Sequence, residues 1–188
     1  MKKLLSNKWL WLTAVVLCVA ILIHLLVVPL LVDRDALRVG LGTPLKELTE
    51  EYTPEQAAAD DCLVEHNLRV IAGKQKWNWF RFKTALRFPA AIRICSFDDS
   101  GWQSFIDLTY NGREFAIHYP DRPANYARYL KFSKADESYR KELFSEYDKY
   151  YLTTTADASW DDVVSSMLSS NGPEFWKAYC LFLDEPQP

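Results

Sequence analysis

Two pairs of side chains in the sequence could take part in acid–base chemistry, and the first is Asp107 with His118. They lie on the two strands of a predicted hairpin, on the same face and diagonally opposite each other. An Asp–His couple is part of a hydrolase triad, but no Gly-x-Ser-x-Gly motif and no cysteine nucleophile motif supplies the third member. An ion pair on the solvent face of the hairpin is therefore the favoured interpretation.

The second pair is Asp98 and Asp99, which could act in acid–base catalysis or bind a hard cation. Ser100 and Gly101 follow directly, and Asp-Ser-Gly is common turn chemistry, so a turn is favoured. A hydrolase that uses either pair is the second alternative function for this chain. It requires those side chains to converge in a cleft.

One further pair could contribute to a metal site. Cys62 and His66 are four residues apart on a predicted helix and therefore point to the same side. A zinc site needs two more ligands, and none converges on this pair by sequence. Motifs for nucleotide phosphates, dinucleotides, zinc proteases and Cys-x-x-Cys redox centres do not occur. We therefore expect no catalytic residue, no metal and no cofactor.

A basic and aromatic segment is the strongest candidate for binding. Residues 66–97 contain no acid, and basic side chains are interleaved with aromatic ones. The candidates for contact with an anionic partner are Lys76, Trp77, Trp79, Arg81 and Lys83. Such a pattern is typical of surfaces that bind nucleic acid or anionic membranes. Pairing with the acidic stretch 33–65 of the same chain is the simpler alternative.

Tyrosine and phenylalanine are dense between residues 126 and 151. Tyrosine is enriched at protein interfaces because its apolar ring carries a polar hydroxyl group. Tyr139 and Tyr147 are therefore further candidates for contact with a partner. Ordinary half-buried positions in a small domain are an equal alternative for both.

The cysteines predict at most one disulfide within the domain. Cys18 lies in an apolar segment, which leaves Cys62, Cys95 and Cys180. In an oxidising compartment, three cysteines allow one bond and one free thiol. We favour Cys62–Cys95, which would join the second predicted helix to a strand. The two pairings with Cys180 stay open, as does the alternative that all three are buried thiols.

Helical and strand patterns occur in separate blocks, which is typical of an α+β fold. Proline after Thr43 and after Thr53 predicts two helices, the second over residues 54–71. Four short runs rich in aromatic or β-branched residues predict strands: KWNWFRF, AAIRICSF, QSFIDLTY and REFAIHY. Helices are predicted at 136–151, at 159–167 and after Pro173. We therefore expect a roughly four-stranded antiparallel sheet flanked by helices.

The sharpest local prediction is a hairpin. Asn111-Gly112 separates two alternating runs, and Asn-Gly is the strongest signal for a two-residue loop. This loop would pair Tyr110 with Arg113. Alternation with period two then places one apolar set on the core face. That set is Ile106, Leu108, Tyr110, Phe115, Ile117 and Tyr119.

The N-terminal part predicts a membrane anchor. Residues 9–32 contain no Asp, Glu, Lys or Arg, and as a helix they would be about 36 Å long, enough to cross a hydrocarbon core of roughly 30 Å. Lys2, Lys3 and Lys8 precede this segment and all 25 acidic residues follow it, so the positive-inside rule places the N-terminus in the cytoplasm. A cleaved signal peptide is the alternative, but its apolar region is usually only about 7–15 residues long.

The chain is therefore expected to divide into four parts. They are a cytoplasmic N-terminus at 1–8, a transmembrane helix at 9–32, a juxtamembrane linker at 33–42 and an exported α+β domain at 43–188. The expected location is a bacterial inner membrane, crossed once, with the domain in the periplasm, where no nucleic acid is expected as a partner.

The function that fits is a non-enzymatic interaction domain. It would bind a protein partner in the envelope, as an accessory or inhibitory subunit of a complex. A sensor domain for a lipid or a small ligand is the alternative, with an anionic lipid as its partner. That alternative requires an apolar pocket beneath the basic and aromatic segment.

Overall fold

The computed structural model describes residues 2–48, 51–136, 144–169 and 178–186. The fold is α+β, with an N-terminal apolar helix before a region that is mostly β-sheet. Helices α1–α6 are Lys2–Leu26, Val28–Leu31, Arg34–Val39, Pro54–Ala59, Lys74–Ala85 and Trp160–Met167, and a 3-10 turn spans Leu45–Glu47. Strands β1–β9 are Leu63–His66, Arg69–Ala72, Ala90–Phe97, Gln103–Tyr110, Phe115–His118, Asn125–Ala127, Tyr129–Ser133, Asp148–Thr153 and Ala178–Asp184.

Helices α1 and α2 carry the apolar N-terminal segment. The stretch Lys8–Leu31 is long and apolar enough to cross a membrane. Side chains from residue 8 to residue 23 are exposed, so the domain does not cover this part of the helix. The break between α1 and α2 lies at Val27, close to Pro29, whose ring prevents continuous helical hydrogen bonding.

The domain contains two sheets, whereas the sequence predicted a single one of about four strands. Sheet A has six strands in the order β2-β1-β3-β4-β5-β6, and sheet B has three in the order β7-β8-β9. Strands β1 and β3 are parallel, so sheet A is not wholly antiparallel. The predicted strand number was wrong because β1, β2, β8 and β9 fall largely in segments whose composition predicted helices.

The predicted helix over 54–71 stops at Ala59. Asp61 takes a left-handed backbone conformation with φ of 61°, which a continuing helix cannot contain. Strand β1 follows at once. Leu63 and Val64 are consecutive and both fully buried, because they face different hydrophobic clusters on the two sides of the strand. A strand covered on both faces shows no alternation, so its sequence does not distinguish it from a buried helix.

The segment KWNWFRF is helix α5 and not the predicted strand. Its buried side chains are Trp77, Phe80 and Thr84, which have the spacing i, i+3, i+7 of one helical face. Aromatic residues at nearly every second position satisfy the helical and the strand pattern at once, which is why the prediction was wrong. Gly73 begins the helix at φ 77°, where a Cβ would also collide with a backbone carbonyl group.

In the hairpin of β4 and β5, the predicted side chains lie on each face, but the loop is longer than predicted. Tyr110 pairs with Phe115, so four residues separate the paired positions where two were expected. Asn111 Oδ1 accepts the N–H groups of Arg113 and Glu114 at 3.0 Å each, which stabilises this wider turn. The register differs from the prediction by two residues, and a shift of two keeps every side chain on its face. The predicted apolar set accordingly faces the central core.

The C-terminal region is sheet where helices were predicted. Strand β8 lies over the end of the predicted helix 136–151, and β9 lies in the segment predicted as helical after Pro173. Residues 137–143 and 170–177, which the same predictions include, are outside the described residues. Strands β8 and β9 are buried along almost their whole length, so their sequences do not alternate. The predicted helix 159–167 is confirmed as α6, Trp160–Met167.

Three hydrophobic clusters hold the domain together. The central cluster lies between the two sheets and includes Trp77 and Phe80 from α5. A second cluster covers the opposite face of sheet A around Leu45 and Ala57. The third lies between sheet B and α6. Helix α5 therefore has its inner face fixed in the central core, and this determines which of its residues remain at the surface.

Candidate functional site

The outer face of α5 is an exposed aromatic surface. Trp79 and Phe82 are 56% and 53% exposed, and Leu86 continues the same stripe just beyond the helix. The Trp79 and Phe82 rings stack with centroids 5.3 Å apart, and Lys83 Nζ lies 5.7 Å from the centroid of Trp79. We call Trp79, Phe82, Lys83, Leu86 and the exposed Phe88 the α5 face. Contiguous exposed apolar side chains of this size mark interaction surfaces.

The α5 face borders the C-terminal end of the apolar helix. The ring centroids of Phe88 and His24 are 4.3 Å apart. Asn111 Nδ2 donates a hydrogen bond to the carbonyl oxygen of Pro29 at 3.4 Å. Gly112 packs so closely on Pro29 that a Cβ at this position would lie 2.9 Å from the proline Cγ. The domain is therefore seated directly on the end of this helix.

A groove begins at this contact and extends along the flank of α5. It consists of two cavities of about 510 and 620 Å³, which share Thr84, Ala85, Tyr110, Arg128 and Tyr129 in their walls. At one end Pro29 and Leu30 line it, and at the other end Phe132 lines it. Thr84 and Ala85 are small, which leaves the space between α5, the β4–β5 hairpin and strand β7 open. We call the combined cavity the α5 groove.

The α5 groove is positively charged. Arg81, Arg87, Arg113 and Arg128 line it, and its acidic wall residue is Glu114. Glu114 is paired with Arg34 at 2.8 Å, which lies outside the groove lining. In the described part of the chain, none of the four groove arginines forms an ion pair. The guanidinium group of Arg81 lies over the Phe132 ring at 5.8 Å, so it is positioned by an aromatic wall.

The residues predicted from the sequence for an anionic partner divide into three groups. Trp77 is 2% exposed and belongs to the core. Lys76 forms an ion pair with Asp61, as the alternative of pairing with the chain's own acidic stretch required. Trp79 and Lys83 lie on the α5 face, and Arg81 lies in the groove.

The predicted tyrosines are not brought to the same surface. Tyr147 is half-buried and packs near Phe144, with ring centroids 6.3 Å apart, in the third cluster. Tyr139 lies outside the described residues. The arginines at 87, 113 and 128 were missed because they are far apart in sequence. Arg87 follows α5, Arg113 lies in the loop of the β4–β5 hairpin, and Arg128 lies between β6 and β7, so only the folded domain brings them together.

The carboxylates considered for acid–base chemistry have structural partners. Asp107 is 1% exposed and accepts hydrogen bonds from Arg93 and from Arg38. His118 Nε2 is 3.1 Å from Thr109 Oγ1, and burial together with the charge of Arg38 lowers the pKa of His118. Asp107 is thus bound to two guanidinium groups, which is not the arrangement of an acid that orients a histidine base.

Asp98 and Asp99 form a turn. Asp98 Oδ1 accepts hydrogen bonds from Ser100 and from the N–H of Trp102, and these bonds lower the pKa of Asp98. Asp99 Oδ1 lies 3.3 Å from His66 Nε2 at the surface. Within the described ranges no group of three or more His, Cys, Asp and Glu side chains could hold a metal ion.

Cys62 and Cys95 are neighbours in the second hydrophobic cluster, and both are present as free thiols. The neighbouring Cys62 thiol and burial raise the pKa of Cys95, whereas the interaction with Cys95 lowers the pKa of Cys62. Cys180 packs against the third cluster. The proximity of Cys62 to Cys95 supports the predicted pairing, which remains a prediction.

A second cavity, of about 420 Å³, lies between sheet A, sheet B and α6. Its wall is mostly apolar, but it includes the carboxyl group of Glu65, which is 5% exposed. Ser96 Oγ donates a hydrogen bond to Glu65 Oε2 at 2.7 Å. Burial nevertheless raises the pKa of Glu65. Sequence reasoning missed this group because a lone Glu in a short strand carries no motif.

Comparison of the chain with protein-family models, with curated proteins and with solved structures finds no match. The geometry of the α5 face and of the α5 groove is therefore the basis on which a function is inferred.

Proposed function

We propose that the protein is a single-pass membrane-anchored interaction domain without catalytic activity. The N-terminus lies in the cytoplasm, residues 9–32 cross the inner membrane, and the following domain lies in the periplasm. There it binds a protein partner embedded in the same membrane, as an accessory or inhibitory subunit of an envelope complex. The α5 face is the surface that makes this contact.

The way in which the domain is attached to the apolar helix supports this proposal. Residues 33–42 were expected to be a linker, but they contain α3, which is bound to sheet A. Arg34 pairs with Glu114 at 2.8 Å and Arg38 with Asp107 at 3.3 Å. A domain held in this way cannot swing far from the membrane, so it is suited to a partner that is also fixed in the membrane.

The single observation that carries the proposal is the exposed Trp79–Phe82 stack beside the end of the apolar helix. Both aromatic side chains are more than half exposed, and contact of their apolar surface with water is unfavourable in free energy. Burial of these rings at an interface would remove this unfavourable contact. Lys83 borders the stack, so the complementary surface should be apolar with acidic groups at its rim.

Site-specific photo-crosslinking in intact membranes tests the interface. A photoreactive phenylalanine analogue at position 82 should crosslink to one integral membrane protein, and Trp79→Glu should abolish that product. Ser165, exposed on α6, provides the control position. The reciprocal crosslink from the captured protein should return to α5. Equal products from positions 82 and 165, or no protein product from 82, would overturn the assignment of the interface.

The topology is tested separately. A C-terminal alkaline phosphatase fusion should be active, and a C-terminal green fluorescent protein fusion exported in unfolded form should be dark. The opposite result would place the domain in the cytoplasm. Cleavage of the fusion near residue 20, with release of the domain into the soluble fraction, would identify the apolar segment as a signal peptide.

A lipid-binding domain is the second candidate function, and the α5 groove is the observation that favours it. The alternative required an apolar pocket beneath the basic and aromatic segment. The groove lies beside α5 in that segment, but it is lined by arginines as well as by aromatic side chains. An envelope hydrolase is less well supported, because Asp107 is engaged by Arg93 and Arg38 and does not line any of the three cavities described.

A further inference from the structure

We propose that the α5 groove binds the phosphate headgroup of an anionic lipid from the outer leaflet of the membrane that the apolar helix crosses. This inference rests on the proposed membrane anchoring and deepens it by naming the ligand class of the groove. The lipid would bind in the groove, beside the α5 face that contacts the protein partner.

The first argument is charge. Arg87, Arg113 and Arg128 line one side of the groove, and each is exposed and forms no ion pair with the described residues. By contrast, Lys76 and Arg93 of the same basic segment have carboxylate partners within the domain. Arg69 and Lys74 of this segment also have carboxylate partners outside the groove. Lys83 lies over the Trp79 ring on the α5 face, and Arg81 and Arg87 lie in the groove without an ion pair to the described residues. Guanidinium groups bind phosphate oxygens in a bidentate geometry.

The second argument is the position of the groove relative to the apolar helix. Pro29 and Leu30 form one end of the lining, and these residues belong to the last turn of the apolar segment. The groove therefore opens where the helix would leave the hydrocarbon core and enter the headgroup layer. A lipid beside the helix can place its headgroup in the groove without leaving the bilayer.

The third argument is the composition of the walls. Tyr110 and Tyr129 line both halves of the groove, and tyrosine is typical of the membrane interface. Asn111, at the base of the groove, lies on the hairpin loop that contacts Pro29. Arg87 and Arg113 lie in the half of the groove that Pro29 and Leu30 line, so a headgroup that enters from the membrane meets these cations first. The aromatic walls at Phe82 and Phe132 lie in the other half, where they can contact the apolar parts of the ligand.

The shape of the groove offers a test that changes no charge. Ala85 lines both halves of the groove and is exposed at the end of α5, so Ala85→Trp would fill the space while leaving the core unchanged. Arg113→Gln with Arg128→Gln removes the charge instead. Lys46→Gln with Lys134→Gln removes the same charge from exposed positions outside the groove lining.

Native mass spectrometry of the full-length protein in detergent measures the binding directly. With dioleoylphosphatidylglycerol and dioleoylphosphatidylcholine at equal concentration, the wild-type protein should retain phosphatidylglycerol preferentially. The double arginine variant should lose about ten- to thirtyfold of this affinity, since each cation near an anionic lipid surface contributes about a factor of five. Ala85→Trp should lose a similar amount, and the double lysine variant should bind as the wild type does.

Three results would overturn the proposal. They are equal retention of the two lipids by the wild type, equal losses in the arginine and lysine variants, and unchanged phosphatidylglycerol retention in Ala85→Trp. Thermal unfolding of each variant identifies any that is misfolded. The photo-crosslink from position 82 is recorded in the same variants. A retained protein crosslink without a lipid preference would reject the lipid ligand of the groove but not the protein interface. A cytoplasmic domain in the fusion assay would reject the anchoring on which both proposals rest.

Discussion

Arg93 and Asp107 form a buried, two-point ion pair across strands β3 and β4. Arg93 Nε lies 2.7 Å from Asp107 Oδ1, and Arg93 Nη2 lies 3.2 Å from Asp107 Oδ2. The side chains are 3% and 1% exposed. Arg38 of α3 adds a bond to the same carboxylate at 3.3 Å, and Arg93 Nη1 donates to the carbonyl oxygen of Thr43. The pair therefore joins the sheet to the segment that follows the apolar helix.

Removing the carboxylate should be strongly destabilising. Asp107→Ala should lower the free energy of unfolding by about 3–5 kcal/mol, because it leaves the Arg93 guanidinium buried without a counter-charge. Urea unfolding of the detergent-solubilised protein measures the change. Asp35→Asn is the matched control: Asp35 also contacts Arg38 but is 83% exposed, so its loss should cost less than about 1 kcal/mol. Equal effects of the two substitutions would contradict the buried network.

The helical assignment of α5 makes a prediction about two tryptophans. Trp77→Ala should lower the free energy of unfolding by about 3–5 kcal/mol, because Trp77 packs edge-on against Tyr150 and Phe182 in the central core. Trp79→Ala should change it by no more than about 0.5 kcal/mol, because Trp79 is exposed. In a strand the two side chains would share one face. Similar costs in denaturant unfolding would therefore favour a strand over the helix.

Stability should depend on pH through Glu65. Burial raises the pKa of this carboxyl group in the folded state, and the charge of Asp184 acts in the same direction. Below the ordinary pKa of Glu the group is protonated in both states and has no effect. As the pH rises through the raised pKa, the folded protein must ionise a buried carboxyl, so stability falls.

Glu65→Gln should remove this loss of stability at high pH, because the amide does not ionise. Its oxygen can still accept the hydrogen bond from Ser96. The variant should unfold at the same temperature as the wild type near pH 4 and at a higher temperature near pH 8, by about 2–4 °C for each kcal/mol gained. Thermal scans across this pH range measure the difference. A variant less stable than the wild type at pH 8 would mean that the ionised carboxylate is stabilising.

Cys62 and Cys95 should form a disulfide if the domain folds in an oxidising compartment. They are neighbours, and the lowered pKa of Cys62 favours the thiolate that attacks during oxidation. Peptide mapping of protein taken from the envelope and alkylated without reduction should detect the Cys62–Cys95 peptide pair. Cys180→Ala should leave that pair unchanged. Full alkylation of both cysteines in the unfolded chain would instead indicate two buried thiols.

Features that depend on local patterns were predictable from the sequence. The apolar segment follows from composition alone, because an uncharged run of this length needs no tertiary partner to be recognised. The start of α4 was predicted because Thr53 and Gln56 exchange hydrogen bonds within one turn. The core face of β4 and β5 was predicted because alternation assigns faces whatever the loop length.

The number of strands could not be predicted in the same way. Strands β1, β8 and β9 are buried on both faces, so their apolar residues do not alternate. Strand β1 pairs with the distant β3 as well as with the adjacent β2, and β9 pairs with β8 across a long segment. Helix α5 was wrongly predicted because its aromatic residues fit both periods. Only packing selected the helix, by burying Trp77 and Phe80 together against the central core.

The sequence by itself determined that this chain has one long apolar segment, an α+β domain and a basic, aromatic segment without acids. The tertiary structure decided which of those basic residues are neutralised and which line a groove. Leu30, Arg87, Arg113 and Arg128 come from four separate segments and meet only after the β4–β5 loop and the residues that follow α5 have packed on the end of the apolar helix. Such a site depends on non-local contacts, and local periodicity carries no information about them.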